Sequence, residues 1–565
     1  VRPRPPRRLA VVAALLATTV LAGCASLPES GPVQQGDPDV VEPGSVALVA
    51  RRPAPGDSPT EIVEGFLRAS AAGFTDDFTV ARTFLDGPVQ ASWNPLAEVR
   101  VYAGQARTEE VGERQAPVVE ASAALSGRLD DAGRYTEAAP GTPTTALFAL
   151  AENDDGEWRI VALEDGVTVS EPLFRSLFEQ TALYFVTPDA QVLVPETRWS
   201  PRGAVETAAA RELLAGPSTW LAPGVVTAFP PGTRLVVDAV AVRDGVAHVD
   251  LSAEALQATP QERVLMLAQL THTLVPLPRV RDVEVTVQGA PFETPAVEPD
   301  LVVDPTVGTV PVVLADGLLQ RVESGSLVPL EGVGAVTANQ PSHPALPYDD
   351  APPVVLSAAT SLVTVPREGP PGPLLADAGP LTPPSYDRHG WVWTAPAGGG
   401  AAVHAVRPDG TRVDVGADWL AGRQVRSLRV ARDGARVLVV SVADGDVVVE
   451  VAAVVRDADA TPTLLPAPLR IAQRATDAGP AAWVDQQTVA VLGRVAQGEV
   501  RTVLLVPVGG ATTPLPPVEG TPVSLASGKG DRLLFVGTSD GELFERNGVG
   551  WTATVGGVSD PAFPG

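Results

Sequence analysis

Ser427-Leu428-Arg429-Val430-Ala431-Arg432-Asp433-Gly434-Ala435-Arg436-Val437-Leu438-Val439-Val440 settles the architecture of nearly half of this 565-residue chain. It reads as a short strand, a glycine turn, an arginine and an apolar strand. Ser524-Leu525-Ala526-Ser527-Gly528-Lys529-Gly530-Asp531-Arg532-Leu533-Leu534-Phe535-Val536 repeats that plan. Around both, from about Val302 onward, strand follows strand without a helix signal. Residues 310–314 precede Asp316-Gly317, residues 354–357 precede 361–365, and Trp391-Val392-Trp393-Thr394 follows Asp387-Arg388-His389-Gly390. Turns return at Pro408-Asp409-Gly410, Ala443-Asp444-Gly445 and Ser539-Asp540-Gly541. Comparable units recur roughly every 40 residues, the length of four short strands, so residues 300–565 are expected to close into an all-β propeller of about five to seven blades. A pair of β-sandwiches is the alternative.

At the other end, residues 1–23 read as a lipoprotein signal peptide. Arg2, Arg4, Arg7 and Arg8 precede an apolar run of 12 residues, 9–20, which ends in Leu21-Ala22-Gly23-Cys24. Such a run is short of the ~20 residues that span a bilayer and suits a signal core. Leu21, Ala22 and Gly23 are the expected signal-peptide recognition residues, the small Ala22 and Gly23 allowing a peptidase to grip extended backbone. Cys24 is the expected lipidation site, its thiol accepting a covalent diacylglyceryl group, with an N-acyl chain such as palmitate following. Cys24 is the single cysteine, so no internal disulfide can form. Two or more acyl chains anchor stably where one does not, which places the body on the outer face of the cell membrane.

Formal net charge is -26, and it becomes -30 once residues 1–23, with their four arginines, are removed. Nucleic acid and anionic lipid would repel such a chain. Lipid, not charge, must therefore hold it at the membrane. Residues 24–58 carry the lipidated cysteine and a Pro-, Gly- and acid-rich flexible tether, averaging ~30 Å in reach with a limit of ~110 Å.

Residues 59–170 are expected to form an α+β, cone-like domain. Ser58, Pro59 and Glu61 spell a capping box ahead of Ile62, Val63, Phe66 and Leu67. A second helical stretch through Phe78, Ala81, Phe84 and Leu85 is followed by alternating segments and an Asp155-Gly156 hairpin signal. This order is similar to small nuclear-transport-factor-like domains. Trp93, Tyr102 and Trp158 read as core residues rather than a pocket lining.

Residues 171–295 read as an α/β unit. Two strands lead to a helix expected to be capped by Ser200 before Pro201, then come Leu213-Leu214-Ala215-Gly216-Pro217 and Phe229-Pro230-Pro231-Gly232-Thr233. A hairpin pairing residues 235–242 with 246–251, a capped helix after Thr259-Pro260-Gln261-Glu262 and a last strand through Val283, Val285 and Val287 complete it. Order and motifs resemble the GerMN domain, a binding or scaffolding module with no catalytic residues to carry over. His248 is expected on the exposed strand face, and His248 and His272 read as structural. Arg263, Arg279 and Arg281 read as balancing acidic neighbours rather than forming a basic site.

No catalytic constellation emerges. Gly537-Thr538-Ser539-Asp540-Gly541 has the spacing of a nucleophile elbow, but it joins two strands and no histidine follows His404, so it reads as a hairpin turn. Zincin, phosphate-loop, cysteine-metal and dinucleotide signatures are lacking, so no cofactor, catalytic residue or metal ligand is expected. His343, His389 and His404 are expected in different blades.

The whole layout, with Gly23-Cys24-Ala25-Ser26-Leu27-Pro28, Ser30-Gly31-Pro32 and Glu61-Ile62-Val63-Glu64-Gly65-Phe66-Leu67-Arg68-Ala69-Ser70, resembles the LpqB lipoproteins of actinobacteria. That resemblance implies a non-enzymatic accessory protein. Its implied partner is the extracytoplasmic domain of an Mtr-type sensor histidine kinase, in two-component signalling for cell division and envelope homeostasis. It assigns no partner-binding residue and no oligomeric state. The alternative is a receptor for an envelope ligand such as a glycan or muropeptide, for which Trp391, Trp393, Trp419, Trp483 and Trp551 would be the stacking candidates.

Overall fold

The computed structural model describes residues 50–112, 116–295, 300–369 and 372–565. Leu21, Ala22, Gly23 and Cys24 lie outside the described residues, as does the tether up to residue 49.

The first helix, Pro59–Ala72, starts where its capping chemistry places it. The Ser58 backbone N–H donates to the Glu61 carboxylate at 2.8 Å, and the Glu61 N–H donates back to Ser58 Oγ at 3.4 Å. Its apolar face buries Ile62, Val63, Phe66 and Ala69. The second helical stretch is only Thr79–Arg82, because Phe78 takes a left-handed φ of 58°. That twist lays the Phe78 ring over Gly73, where a Cβ would lie 2.1 Å from it, and edge-on to Trp93 at 5.8 Å. A sheet with the order Trp158–Ala162, Pro143–Glu152, Val118–Asp130, Glu98–Glu110, Val167–Ser170 wraps this helix. Register shifts after Val101 and Ala103 bend it into the cone.

The α/β unit begins with a long hairpin, Phe178–Val186 against Val192–Pro201. The expected cap at Ser200 is not there. Ser200 still pairs with Glu179 and Pro201 with Phe178, and the helix Val205–Ala215 starts after a single 3-10 turn without a side-chain cap. The strand runs on because Trp199 packs against Tyr135 and against Phe174, whose short helix Glu171–Leu177 sits in the cone's core rather than in the α/β unit, tying that end of the hairpin to the first domain. Downstream, Thr259 and Glu262 form the expected capping box of Pro260–Leu274. The strand Val246–Leu251 lies parallel to Asp282–Val287, and the expected partner arm contracts to Ala241–Arg243 plus a lone Leu235 to Leu251 bridge. Asp244 and Gly245, at φ 51° and 81°, make the two-residue turn.

Among the described residues five four-stranded sheets and one six-stranded sheet follow, and they form the six blades of the propeller. Blades 2 to 6 start at the inner strands Pro341–Ala345, Ser385–Tyr386, Gln424–Val430, Asp477–Trp483 and Pro522–Ser527. Blade 1 takes three strands from Val312–Ala315, Leu318–Glu323 and Ser326–Pro329, and its inner strand from Ser559–Ala562. Joining early and late segments in one sheet closes the ring by backbone hydrogen bonds, which removes the open edges a linear array would expose. Alternation fails in strands such as Arg436–Ala443, whose first six residues are all buried, because the second strand of a blade packs against a neighbouring blade on each face. An extra hairpin, Val455–Arg456 with Pro462–Leu464, extends blade 3 from the blade 4 segment.

Candidate functional site

The turn quoted first, Arg432 to Arg436, is where the α/β unit meets the propeller. Gly434 supplies a φ of 72°, and Asp433 Oδ1 accepts the Ala435 N–H at 2.8 Å. Arg436 emerges fully buried. Its Nη2 donates to Asp433 Oδ2 and to the Gln486 carbonyl, both at 2.6 Å, and its Nη1 to the Pro195 carbonyl at 3.3 Å. The guanidinium also stacks 4.9 Å from the Trp483 ring centre. Arg388 donates to the Asp433 carbonyl at 2.9 Å, to Gln191 Oε1 at 2.9 Å and to the Asp189 carboxylate. Gly224 comes so close that a Cβ there would sit 3.0 Å from Ala453. The cone is fixed separately. Glu137, buried, accepts from the Thr512 N–H and hydroxyl, each at 2.7 Å, and from the Arg474 N–H at 3.3 Å.

Arg432 turns into the central channel and donates to the carbonyls of Trp483, Ser527 and Gly528 at 3.1, 3.2 and 2.6 Å. Lys529, in the second copy of the motif, donates to the carbonyl of the connector residue Asp304 at 3.2 Å. Deeper in a channel cavity of about 70 Å³, Arg429 is held by the Pro384 and Ala481 carbonyls at 2.7 and 3.3 Å. Burial pushes its pKa down to about 10 against the opposing pull of Asp560. Tyr348 lines the same cavity, its hydroxyl without a hydrogen-bond partner among the described residues. Burial raises its pKa.

The cone holds a second cavity of about 130 Å³, lined by Leu67, Ala71, Tyr102, Ala121, Ala146 and Leu173 among others. Tyr102, expected in the core, therefore lines this pocket, whereas Trp93 is core. The tryptophans that could offer rings for stacking are mostly enclosed. Trp391, Trp393 and Trp483 are buried, the last two donating to Asp387 and to the Arg429 carbonyl.

The histidines do not converge. His248 pairs with Glu284 across the parallel strands at 2.9 Å, and His272 packs edge-on to Tyr184 with its pKa lowered by burial. His343 lies 3.5 Å from Asp560 on the inner strands, while His389 and His404 share blade 3 rather than occupying different blades. His404 contacts Asp414 at 2.7 Å. Burial first, then Arg456 and Arg388, pushes His389 down to about 4. Among the described residues no group of three or more His, Cys, Asp or Glu side chains could hold a metal ion. Gly537 to Gly541 is a hairpin turn between Leu534–Thr538 and Leu543–Asn547. Arg263, Arg279 and Arg281 point to separate acceptors, the Ala258 carbonyl, Glu206 and the Asp244 carbonyl.

Glu137, Arg388, Arg432, Arg436 and Tyr348 escaped sequence reasoning as interface or cavity residues. An arginine after the glycine turn was visible in both repeats, but its burial depends on which domain lies above it.

A cone, a GerMN-type α/β unit and a ring-closed propeller, joined through buried polar contacts, define a modular propeller protein. Three family models match its parts: "Lipoprotein LpqB, N-terminal domain" over residues 52–175, "Sporulation and spore germination" over 182–293 and "Lipoprotein LpqB beta-propeller domain" over 317–564. The chain belongs to the LpqB lipoprotein family, and is an extracytoplasmic lipoprotein associated with the membrane. It is 33% identical over 307 residues to lipoprotein LpqB of Cutibacterium acnes, covering 53% of this chain and 49% of that protein. It is 28% identical over 627 residues to lipoprotein LpqB of Streptomyces coelicolor, covering 100% of this chain and 98% of that protein. The match thus spans about half the length of the first relative and nearly all of the second. Among solved structures, the first GerMN domain of the sporulation protein GerM from Bacillus subtilis aligns at 21% identity with a TM-score of 0.18, covering 22% of this chain and 96% of that one. Among the described residues no helix is long and apolar enough to cross a membrane.

Proposed function

We propose that this protein is a non-enzymatic accessory lipoprotein, held by diacylglyceryl and N-acyl chains at Cys24 on the outer face of the cell membrane, that binds and modulates an Mtr-type sensor histidine kinase. The observation that carries the reading is the joining of three domains through buried contacts such as Arg436 to Pro195 and Glu137 to Thr512. Such a body presents fixed surfaces to a partner instead of flexing between modules, and Arg432 and Arg436 near its centre are occupied in holding it together. Modulation requires that it bind one kinase state better than another.

Full-length lipoprotein and kinase, reconstituted together in nanodiscs, test this through the autophosphorylation rate. A change that saturates with lipoprotein concentration is expected. An unaltered rate together with no calorimetric binding to the kinase's extracytoplasmic domain would refute it. The cone cavity favours a second reading, a receptor for a small envelope ligand. Its apolar lining suits an aliphatic or peptide group better than a sugar, since the tryptophans that could stack on sugars are largely buried. Enzymatic activity and cofactors form no part of either reading. Cys24→Ser should release the chain from membranes, and retention of that variant in the membrane fraction would remove the anchor from the proposal.

A further inference from the structure

On blades 4 and 5, away from the domain junction, three arginines share one carboxylate. Arg426 Nη1 lies 3.0 Å from Asp477 Oδ1, while Arg501 Nε and Arg494 Nη2 lie 3.6 and 3.7 Å from Asp477 Oδ2. The first is a hydrogen bond and the other two are only ion-pair distances. The Nε groups of Arg494 and Arg501 are themselves buried, without a hydrogen-bond partner among the described residues. Yet the heads are reachable: the side chains of Arg426 and Arg494 are 41% and 40% exposed, and that of Arg501 28%.

The cluster is built rather than casual. Gly479 clears the space for Arg501, since a Cβ there would lie 2.0 Å from Arg501 Nη2. Three positive charges against one negative leave a local surplus, in a chain whose net charge is -26. An ion cluster serving stability alone would balance its charges, because each unpaired, partly buried guanidinium carries a desolvation cost without a compensating partner.

We propose that Arg426, Arg494 and Arg501 form a docking surface for clustered Asp and Glu side chains of a protein partner. Carboxylates suit the site because a guanidinium presents parallel N–H groups that two carboxylate oxygens accept together. An anionic bilayer is the poorer occupant. It is an extended sheet of negative charge that the rest of this acidic surface repels, whereas a protein can bring a few carboxylates within the ~8 Å over which the patch dominates at physiological salt. Asp477 holds the three arginines together, and the partner's carboxylates engage the exposed parts of their guanidinium groups.

The inference rests on the kinase reading only for the identity of the partner, and the experiment separates the two. Full-length lipoprotein in nanodiscs of zwitterionic lipid is titrated with the kinase's extracytoplasmic domain, and separately with hexaglutamate. Wild type is compared with the Arg494→Glu, Arg501→Glu double variant and with the milder Arg494→Gln, Arg501→Gln pair, which serves if charge reversal prevents folding. Expected are at least a tenfold loss of affinity for both probes in the variants, an unchanged thermal midpoint, and wild-type affinity that falls several-fold between 50 and 200 mM salt. Kinase-domain binding that stays within twofold in the variants overturns this surface and leaves the kinase reading standing. Hexaglutamate binding that depends on the arginines, with no kinase-domain binding, keeps the surface and removes that partner. Binding of neither probe, or an arginine-dependent preference for phosphatidylglycerol vesicles over both, overturns the proposal.

Discussion

Arg436 and the Arg494–Arg501 pair are the same residue type on adjacent blades, and they are held in opposite ways. Arg436 is fully enclosed, shares Asp433 Oδ2 through two of its nitrogens, reaches carbonyls on two other segments and stacks on Trp483. Arg494 and Arg501 compete with Arg426 for Asp477 and keep Nε groups without partners. The first arrangement has satisfied nearly every donor, so its free energy is committed to keeping two domains together. The second leaves positive charge in surplus at the surface. Charge alone therefore does not mark a binding surface in this molecule; the marker is surplus charge on partly exposed side chains.

The contrast can be broken most sharply at Arg436. Arg436→Ala leaves Asp433 buried and unpaired, and is expected to cost about 3–5 kcal/mol in urea unfolding. A cost under about 1 kcal/mol would mean that the junction does not depend on this arginine. Glu137→Gln tests the cone's attachment and should cost about 1–3 kcal/mol, since one amide oxygen cannot replace both carboxylate oxygens. Limited proteolysis between the cone and the propeller should accelerate in the same variant.

His389 sharpens the comparison through pH. Its folded pKa is pushed from 6.5 to about 4, so between those values the unfolded chain binds the extra proton. Stability contributed by the neutral imidazole is present above pH 6.5 and is lost as pH falls towards about 4. His389→Gln should flatten that part of a stability-against-pH curve, and an unchanged slope would show that the ring titrates normally. The smallest effect is expected at Tyr348. Its buried hydroxyl has no partner among the described residues, so Tyr348→Phe should change stability by less than about 1 kcal/mol, in the stabilising direction. A clear loss in thermal unfolding would reveal a bond that the hydroxyl makes within the channel.

Local signals were legible wherever the physics is local. The capping boxes at Ser58 and Thr259 require only residues three apart, and the Asp-Gly turns between apolar strands require only neighbours. The recurrence of strand and turn carried the propeller, because a blade is a local meander. Tertiary contacts changed the outcome where a distant group claimed a residue. Ser200 looked like a helix cap, yet Trp199 packs on Phe174 of another domain and keeps the strand running. Phe78 looked helical, yet its ring settles over Gly73 and Trp93, and the helix shrinks to one turn.

The sequence by itself determined the two capped helices, the Asp-Gly turns and the strand-and-turn recurrence of the propeller, because capping, periodicity and turn conformation act over a few residues. Only the tertiary structure decided that six blades close through Ser559–Ala562 and Val312–Ala315, segments about 250 residues apart whose pairing no local pattern encodes. Only it separated Arg436 from Arg494 and Arg501. Whether an arginine is buried and balanced or half-exposed and in surplus depends on which carboxylates the fold brings beside it, and identical side chains in a sequence carry no record of that.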